Sequence, residues 1–251
     1  MNRPGRITLI CWLFQFSSPF VWAGPGMIGE DVERVSEKDY PSICRISILM
    51  ETDDGEVEAL CTGSLITEDS ILTSAHCFPL QRRHSATVTC GGEYLGRVRE
   101  FHLPEADEWI DPDRPSPTRD VANVVIRRKS QARPLSLAKS RDAWFEQDGT
   151  LKNGISCRMA GFGMDDRGNT GHLLMAKPSN VEFKLMNGLI HMLPTSGWLK
   201  TSVNPGDSGG PLLCQAPGLD EEIVGITESY RFQDRKDQRV KNTFVPAWTL
   251  P

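Results

Sequence analysis

Short apolar or alternating runs recur along the chain, with turn-forming residues between them: "ICRISILM", "EALCTGSLI", "ILTSA", "ATVTC", "YLGRVREFHL" and "VANVVI". A polar, proline-bearing connection around residues 128 to 150 follows. A second series comes after it: "ISCRMAGFG", "HLLMAKP", "NVEFKL", "LIHML", "WLKTSV", "GPLLC", "EIVGIT" and "NTFVPAW". Many short strands at this spacing predict an all-β sandwich or barrel. Few windows hold an apolar stripe at helical spacing, and "SRDAWFEQ" is the best candidate for one short helix. No internal repeat of fixed period interrupts this picture.

The start of the chain follows a different pattern. Arg3 and Arg6 precede the apolar run "ITLICWLF", and "VWA" ends on the small residue Ala23. A basic flank, a short apolar run and a small residue predict a secretory signal over 1–23, cleaved between Ala23 and Gly24. The run is too short to span a bilayer, and no membrane anchor is expected in the mature chain. Of 251 residues, 33 are acidic and 28 are Lys or Arg, giving a net charge of −5. Losing two arginines with the signal makes the rest more acidic still. Such a chain offers no electrostatic footing for nucleic acid or anionic lipid.

Cysteine usage agrees with export. Of seven cysteines, Cys11 leaves with the signal, and Cys44, Cys61, Cys77, Cys90, Cys157 and Cys214 remain. An even count in an exported chain predicts disulfides, though spacing alone leaves fifteen pairings open. No Cys/His cluster has the spacing of a zinc site, so neither metal nor cofactor is expected.

Three residues stand in settings that would hold them rigidly. His76 follows the strand-like "ILTSA" and precedes Cys77, whose sulfur could lock the turn to a neighbouring strand. Asp120 opens the apolar run "VANVVI", where a carboxylate at a strand mouth is partly buried and needs a partner. Ser208 lies in "GDSGGPL", where Gly206, Gly209 and Gly210 open backbone conformations closed to other residues. The Gly206 and Ser208 amides can then point into one pocket, as an oxyanion requires. A serine is a weak nucleophile until a base takes its proton, and histidine is that base when an acid fixes its tautomer. Alone, a histidine after a strand is more often a hydrogen-bonded turn residue, an aspartate before a strand is more often a turn former, and the glycine-rich turn is weak evidence.

Together, "LTSAHC" (72–77), "DVANVVI" (120–126) and "GDSGGPL" (206–212) closely resemble the three signatures of the trypsin-like, chymotrypsin-fold serine endopeptidases, in that family's chain order. The resemblance runs from about residue 27 to about residue 248. It implies an all-β fold of two packed six-stranded antiparallel β-barrels. A short N-terminal segment and the first barrel would occupy 24–135, and the second barrel 136–251. It assigns Ser208 as nucleophile, His76 as general base then acid, Asp120 as its orienter, and the Gly206 and Ser208 amides as oxyanion hole. It also implies that Cys61 pairs with Cys77 and Cys157 with Cys214. Cys44 and Cys90 remain, on strands expected to be neighbours. The expected partners are a protein or peptide substrate and a proteinaceous inhibitor, with the chain a secreted monomer.

The sequence departs from the family around the substrate pocket. Asn204 stands where a cysteine is common. Ser202, beside Val203, occupies the expected pocket floor, where cleavage after Lys or Arg needs a carboxylate. An uncharged apolar or aromatic side chain before the scissile bond is therefore expected. An acid from "YRFQDRKDQ" reaching the other wall would reverse that preference. Glu228, Ser229 and Tyr230 replace the family's usual substrate-pairing segment, and the chain ends at "FVPAWTLP" without the C-terminal helix of many relatives. "MIGE" (27–30) is a divergent form of the family's activation terminus, so a Met27 ammonium is expected to pair with Asp207 after cleavage; ordinary linker residues are the other reading. The alternative function is a protease-fold binding protein without turnover.

Overall fold

A computed structural model of the chain describes residues 27, 31–52, 55–78, 84–104, 120–196, 199, 201–232 and 240–249, with the backbone alone at 229–232, 240 and 241. The signal segment, the whole of 105–119, and most of "YRFQDRKDQ" lie outside the described residues.

The first series of runs forms strands β2 (Ile43–Thr52), β3 (Gly55–Leu65), β4 (Ser70–Thr73), β5 (His84–Cys90), β6 (Glu93–His102) and β7 (Ala122–Ile126), after a short β1 (Val32–Arg34). They close into a barrel in the order β2-β3-β4-β7-β6-β5. Closure pairs every strand edge, and period-two alternation supplies the interior. In β2, Cys44, Ile46, Ile48 and Met50 are buried while Arg45, Ser47 and Leu49 between them are half-buried.

The second series forms β8 (Ser136–Leu137), β9 (Ser156–Gly161), β10 (Leu174–Ala176), β11 (Val181–Met186), β12 (Leu189–Pro194), β13 (Pro211–Gln215), β14 (Glu222–Phe232) and β15 (Val240–Pro246). Their path runs β10-β9-β13-β14-β15-β12-β11, and the sheet reaches nine strands because β1 adds to β10 and β8 adds in parallel to β14. The fold is all-β with two barrels. The N-terminal strand β1 thus pairs with the second half of the chain, not with the first barrel that follows it. β11 and β12 are joined by Asn187-Gly188, both with positive φ (52° and 77°), between the paired Met186 and Leu189. This is the primed two-residue turn whose twist suits a hairpin. Met159, Phe162, Leu212, Ile226 and Phe244 fill the second core.

The expected helix at "SRDAWFEQ" is reduced to one 3-10 turn, Arg141–Ala143. Phe145 instead bridges Leu151, and the core takes Trp144 and Phe145 from an irregular segment. Adjacent apolar side chains there serve a turn that folds back on itself at Gly149 (φ 85°).

Candidate active site

Strand pairing brings the first two candidates together. β4 pairs with β7 so that Thr73 faces Ala122 at the end of the ladder. The residues just past Thr73 and just before Ala122 therefore emerge at one rim of the barrel. His76 sits there in a 3-10 turn, Ala75–Cys77, tied to β3 by the Cys61–Cys77 disulfide. Asp120, 7% exposed, enters from the other side. Its Oδ1 accepts the His76 backbone N–H at 2.8 Å, and its Oδ2 accepts from Nδ1 of the ring at 2.5 Å. Two bonds to one carboxylate fix both the turn and the ring. With the Nδ1 proton assigned to that bond, Nε2 of a neutral ring is left as the acceptor.

Burial opposes a charged His76 ring, but the charge and hydrogen bond of Asp120, with a smaller contribution from Glu228, outweigh it. The ring's pKa is therefore held above its usual value.

The serine loop is built from backbone contacts. The Gly210 amide donates to the Asp207 carbonyl, the Gly209 amide donates to the Thr227 carbonyl, and the Thr227 amide donates to the Gly210 carbonyl. Gly209 has φ +81°, and a β-carbon there would lie 2.1 Å from Thr73 Oγ1, so only glycine fits. Among the described residues, neither the Gly206 nor the Ser208 amide donates to another group of the chain. Ser208 itself is half-buried, and no hydrogen bond joins it to His76.

What joins the two loops is a pair of residues that no local string singled out. The Thr227 carbonyl accepts from Ser74 Oγ at 2.8 Å as well as from the Gly209 amide, and so holds the histidine loop and the serine loop at once. Thr62, fully buried on β3, donates through Oγ1 to the Gly206 carbonyl and accepts from the Phe162 amide, while its own amide donates to the Ser208 carbonyl. One first-barrel threonine therefore fixes the serine loop against the end of β9.

Asp207 has no exposed surface. Its carboxylate accepts the Gly163 amide through Oδ1 and the Asn204 amide through Oδ2, both at 2.9 Å. Burial pushes its pKa up to about 7 against the pull of those two amides, and among the described residues no cation acts on it. Met27 is buried in the second core. In the uncut chain its nitrogen is a peptide nitrogen, so its ion pair with Asp207 is not formed.

Around the expected pocket floor, Ser202 Oγ lies 3.1 Å from Asn242 Oδ1, which also accepts the Val203 amide at 3.2 Å. Asn242 Nδ2 donates to the Thr201 carbonyl at 3.4 Å. Asn242 is fully buried and opposite Tyr230 in the β14–β15 ladder. Sequence reasoning missed it because only the pairing of β14 with β15 carries it to the 201–203 segment. Glu228, expected in the pocket wall, accepts from Thr243 Oγ1 at 2.6 Å. The side chains of Ser229 and Tyr230 lie outside the described residues. The remaining disulfides join Cys44 to Cys90 across β2–β5 and Cys157 to Cys214 across β9–β13. Among the described residues no group of His, Cys, Asp or Glu could hold a metal ion, and no helix is long and apolar enough to cross a membrane.

Comparison with known proteins places this geometry in context. The family model described as Trypsin matches residues 32–246. Granzyme B(G,H) of Mus musculus is 27% identical over 209 residues, 76% of this chain and 78% of that protein. A chymotrypsin of Phaedon cochleariae is 26% identical over 195 residues, covering 73% and 68%. Among solved structures, mouse neuropsin, a serine protease, superposes with a TM-score of 0.59 at 17% identity over 87% of this chain and 94% of its own. An inactivated scabies mite protease paralogue superposes with a TM-score of 0.57 at 14% identity, covering 88% and 95%.

Proposed function

Because the chain belongs to the trypsin-like serine protease family, matching it over residues 32–246, we propose that it is a secreted serine endopeptidase working through an acyl-enzyme on Ser208. The family implies peptide substrates. The observation that carries the catalytic reading is the double hydrogen bond from His76 to Asp120, which leaves Nε2 as the acceptor.

In this reading the Ser208 Oγ proton passes to His76 Nε2 as Oγ bonds to the substrate carbonyl carbon. The carbonyl electron pair moves onto oxygen, where the Gly206 and Ser208 amides receive it. Each such donor contributes roughly 3 kcal/mol to lowering the barrier. Collapse of the intermediate breaks the C–N bond, and the leaving amine takes the proton from His76. Water then repeats the sequence and releases the acid and Ser208.

Two further features belong to the proposal. The neutral Ser202–Asn242 pair supports cleavage after an uncharged side chain, since a buried Lys or Arg would find no carboxylate among the described residues there. Burial of Asp207 without a cation among the described residues supports activation by cleavage before Met27, which would supply an ammonium. The signal segment and three disulfides support an oxidising, extracytoplasmic destination.

Reaction of the purified protein, cut before Met27, with a fluorophosphonate probe tests the central claim. Labelling of the parent and not of Ser208→Ala, together with turnover of a peptide library, is expected. The lack of a Ser208–His76 hydrogen bond favours one second reading, a protease-fold binding protein. No labelling and no turnover in the cut form would select it.

A further inference from the structure

Glu228 occupies a break in the β14–β15 ladder. Thr227 pairs with Phe244 and Ser229 with Thr243, which leaves Glu228 as the extra residue between them. A bulge re-aims a side chain and bends its strand, and this one follows the residue that holds both catalytic loops. The Thr227 carbonyl binds Ser74 from the histidine loop and Gly209 from the serine loop. The bulge therefore places Glu228 directly after the residue that joins the two. Thr243 Oγ1 anchors its carboxylate from β15 at 2.6 Å. A half-buried acid needs such a partner, because burying a charge costs free energy unless it is hydrogen-bonded or paired.

We propose that Glu228 is a positioning residue for His76, a second carboxylate that works with Asp120 to hold the ring and stabilise its imidazolium form. Its consequence for turnover rests on the endopeptidase reading. Among the described residues, the charged groups acting on His76 are Asp120, from the segment entering β7, and Glu228, from β14. Among the described residues, the histidine loop otherwise brings Ser74 and β15 brings Thr243, which carry no charge, and the serine loop brings Ser208 beside Asp207, whose carboxyl is turned to the Gly163 and Asn204 amides.

The two carboxylates differ in geometry. Asp120 binds Nδ1 and the backbone amide and so sets the tautomer. Glu228 makes no hydrogen bond to the ring among the described contacts and acts through its field. Both favour the charged ring, and the charge on His76 also develops as Ser208 gives up its proton. The resting ring then loses its proton only at higher pH, so the acid limb of activity lies further toward alkaline pH than Asp120 alone would place it.

The test separates this inference from the activity itself. His76 is titrated by imidazole NMR in the inactive Ser208→Ala protein, alone and with Glu228→Gln, Glu228→Asp or Glu228→Ala. Gln keeps an oxygen for Thr243 and removes only the charge. It should weaken proton binding at His76 about three- to tenfold, a downward shift of half to one pH unit. Asp should retain most of the parent value, and Ala should shift it in the same direction as Gln. The acid limb of fluorophosphonate labelling in the Ser208 background should move with the Gln titration. A His76 titration unmoved in folded Gln and Ala variants would overturn the inference even if the enzyme is active. A shifted titration in a protein that never labels would leave the inference standing and sink the endopeptidase reading.

Discussion

Replacing Thr62 by Val keeps the shape of the side chain and deletes one hydroxyl. That hydroxyl donates to the Gly206 carbonyl at 2.8 Å and accepts the Phe162 amide at 2.9 Å, inside a residue with no exposed surface. The substitution leaves a buried carbonyl and a buried amide without partners. Each orphaned group costs about 1–3 kcal/mol, so we expect a loss of about 3 kcal/mol in all. Thr62→Ser keeps the hydroxyl and removes only a methyl group, which should cost about 1 kcal/mol. Urea unfolding of both variants with disulfides intact, followed by circular dichroism, measures the difference. The catalytic effect should follow the same hydroxyl, since it fixes the peptide between Gly206 and Asp207. Acylation should fall at least tenfold in the Val variant and stay near the parent in the Ser variant. Equal stability of the two variants, or Ser the weaker, would refute the assignment of Thr62 as the joint between the barrels.

The Asp207 carboxyl has its folded pKa raised from 3.8 to about 7 by burial. A raised value means that the fold favours the protonated acid, so its contribution is complete below about pH 4 and is lost as pH rises toward 7. The uncut chain should therefore lose stability across that window by up to about 1.4 kcal/mol per pH unit relative to Asp207→Asn. Parallel stability profiles for parent and variant would disprove it. At the pocket, Asn242→Asp places a carboxylate against Ser202 Oγ and the Val203 amide. Library cleavage should then shift toward Lys and Arg, and an unchanged profile would remove Asn242 from the pocket floor.

The fold was legible because its signals are local. Alternation in "ICRISILM" predicts a strand with one buried side, and β2 shows that alternation in its exposure. The short helix expected at "SRDAWFEQ" is mostly missing for the opposite reason. Trp144 and Phe145 are buried by contacts with the second core and not by a helical stripe, and apolar residues alone do not distinguish the two. The pairing of β1 with β10 was equally out of reach, since three residues of no special pattern cross to a strand some 140 positions away.

Within the site, legibility followed the same division. A loop that must present a side chain and two amides at once writes its demands into adjacent residues, as "GDSGGPL" does. A contact such as Asn242 to Ser202 needs only one polar residue on each of two segments and leaves no string to read. β15 adds a second consequence. Successive side chains on a strand face opposite ways. Asn242 accordingly turns to the 201–203 segment, while Thr243 turns to Glu228. In the endopeptidase reading proposed above, choice of substrate and the proton affinity of the base would hang on neighbouring residues of one strand but on opposite faces of it. Substitution at Asn242 should therefore change which bond is cut without moving the His76 titration, and substitution at Thr243 or Glu228 should do the reverse.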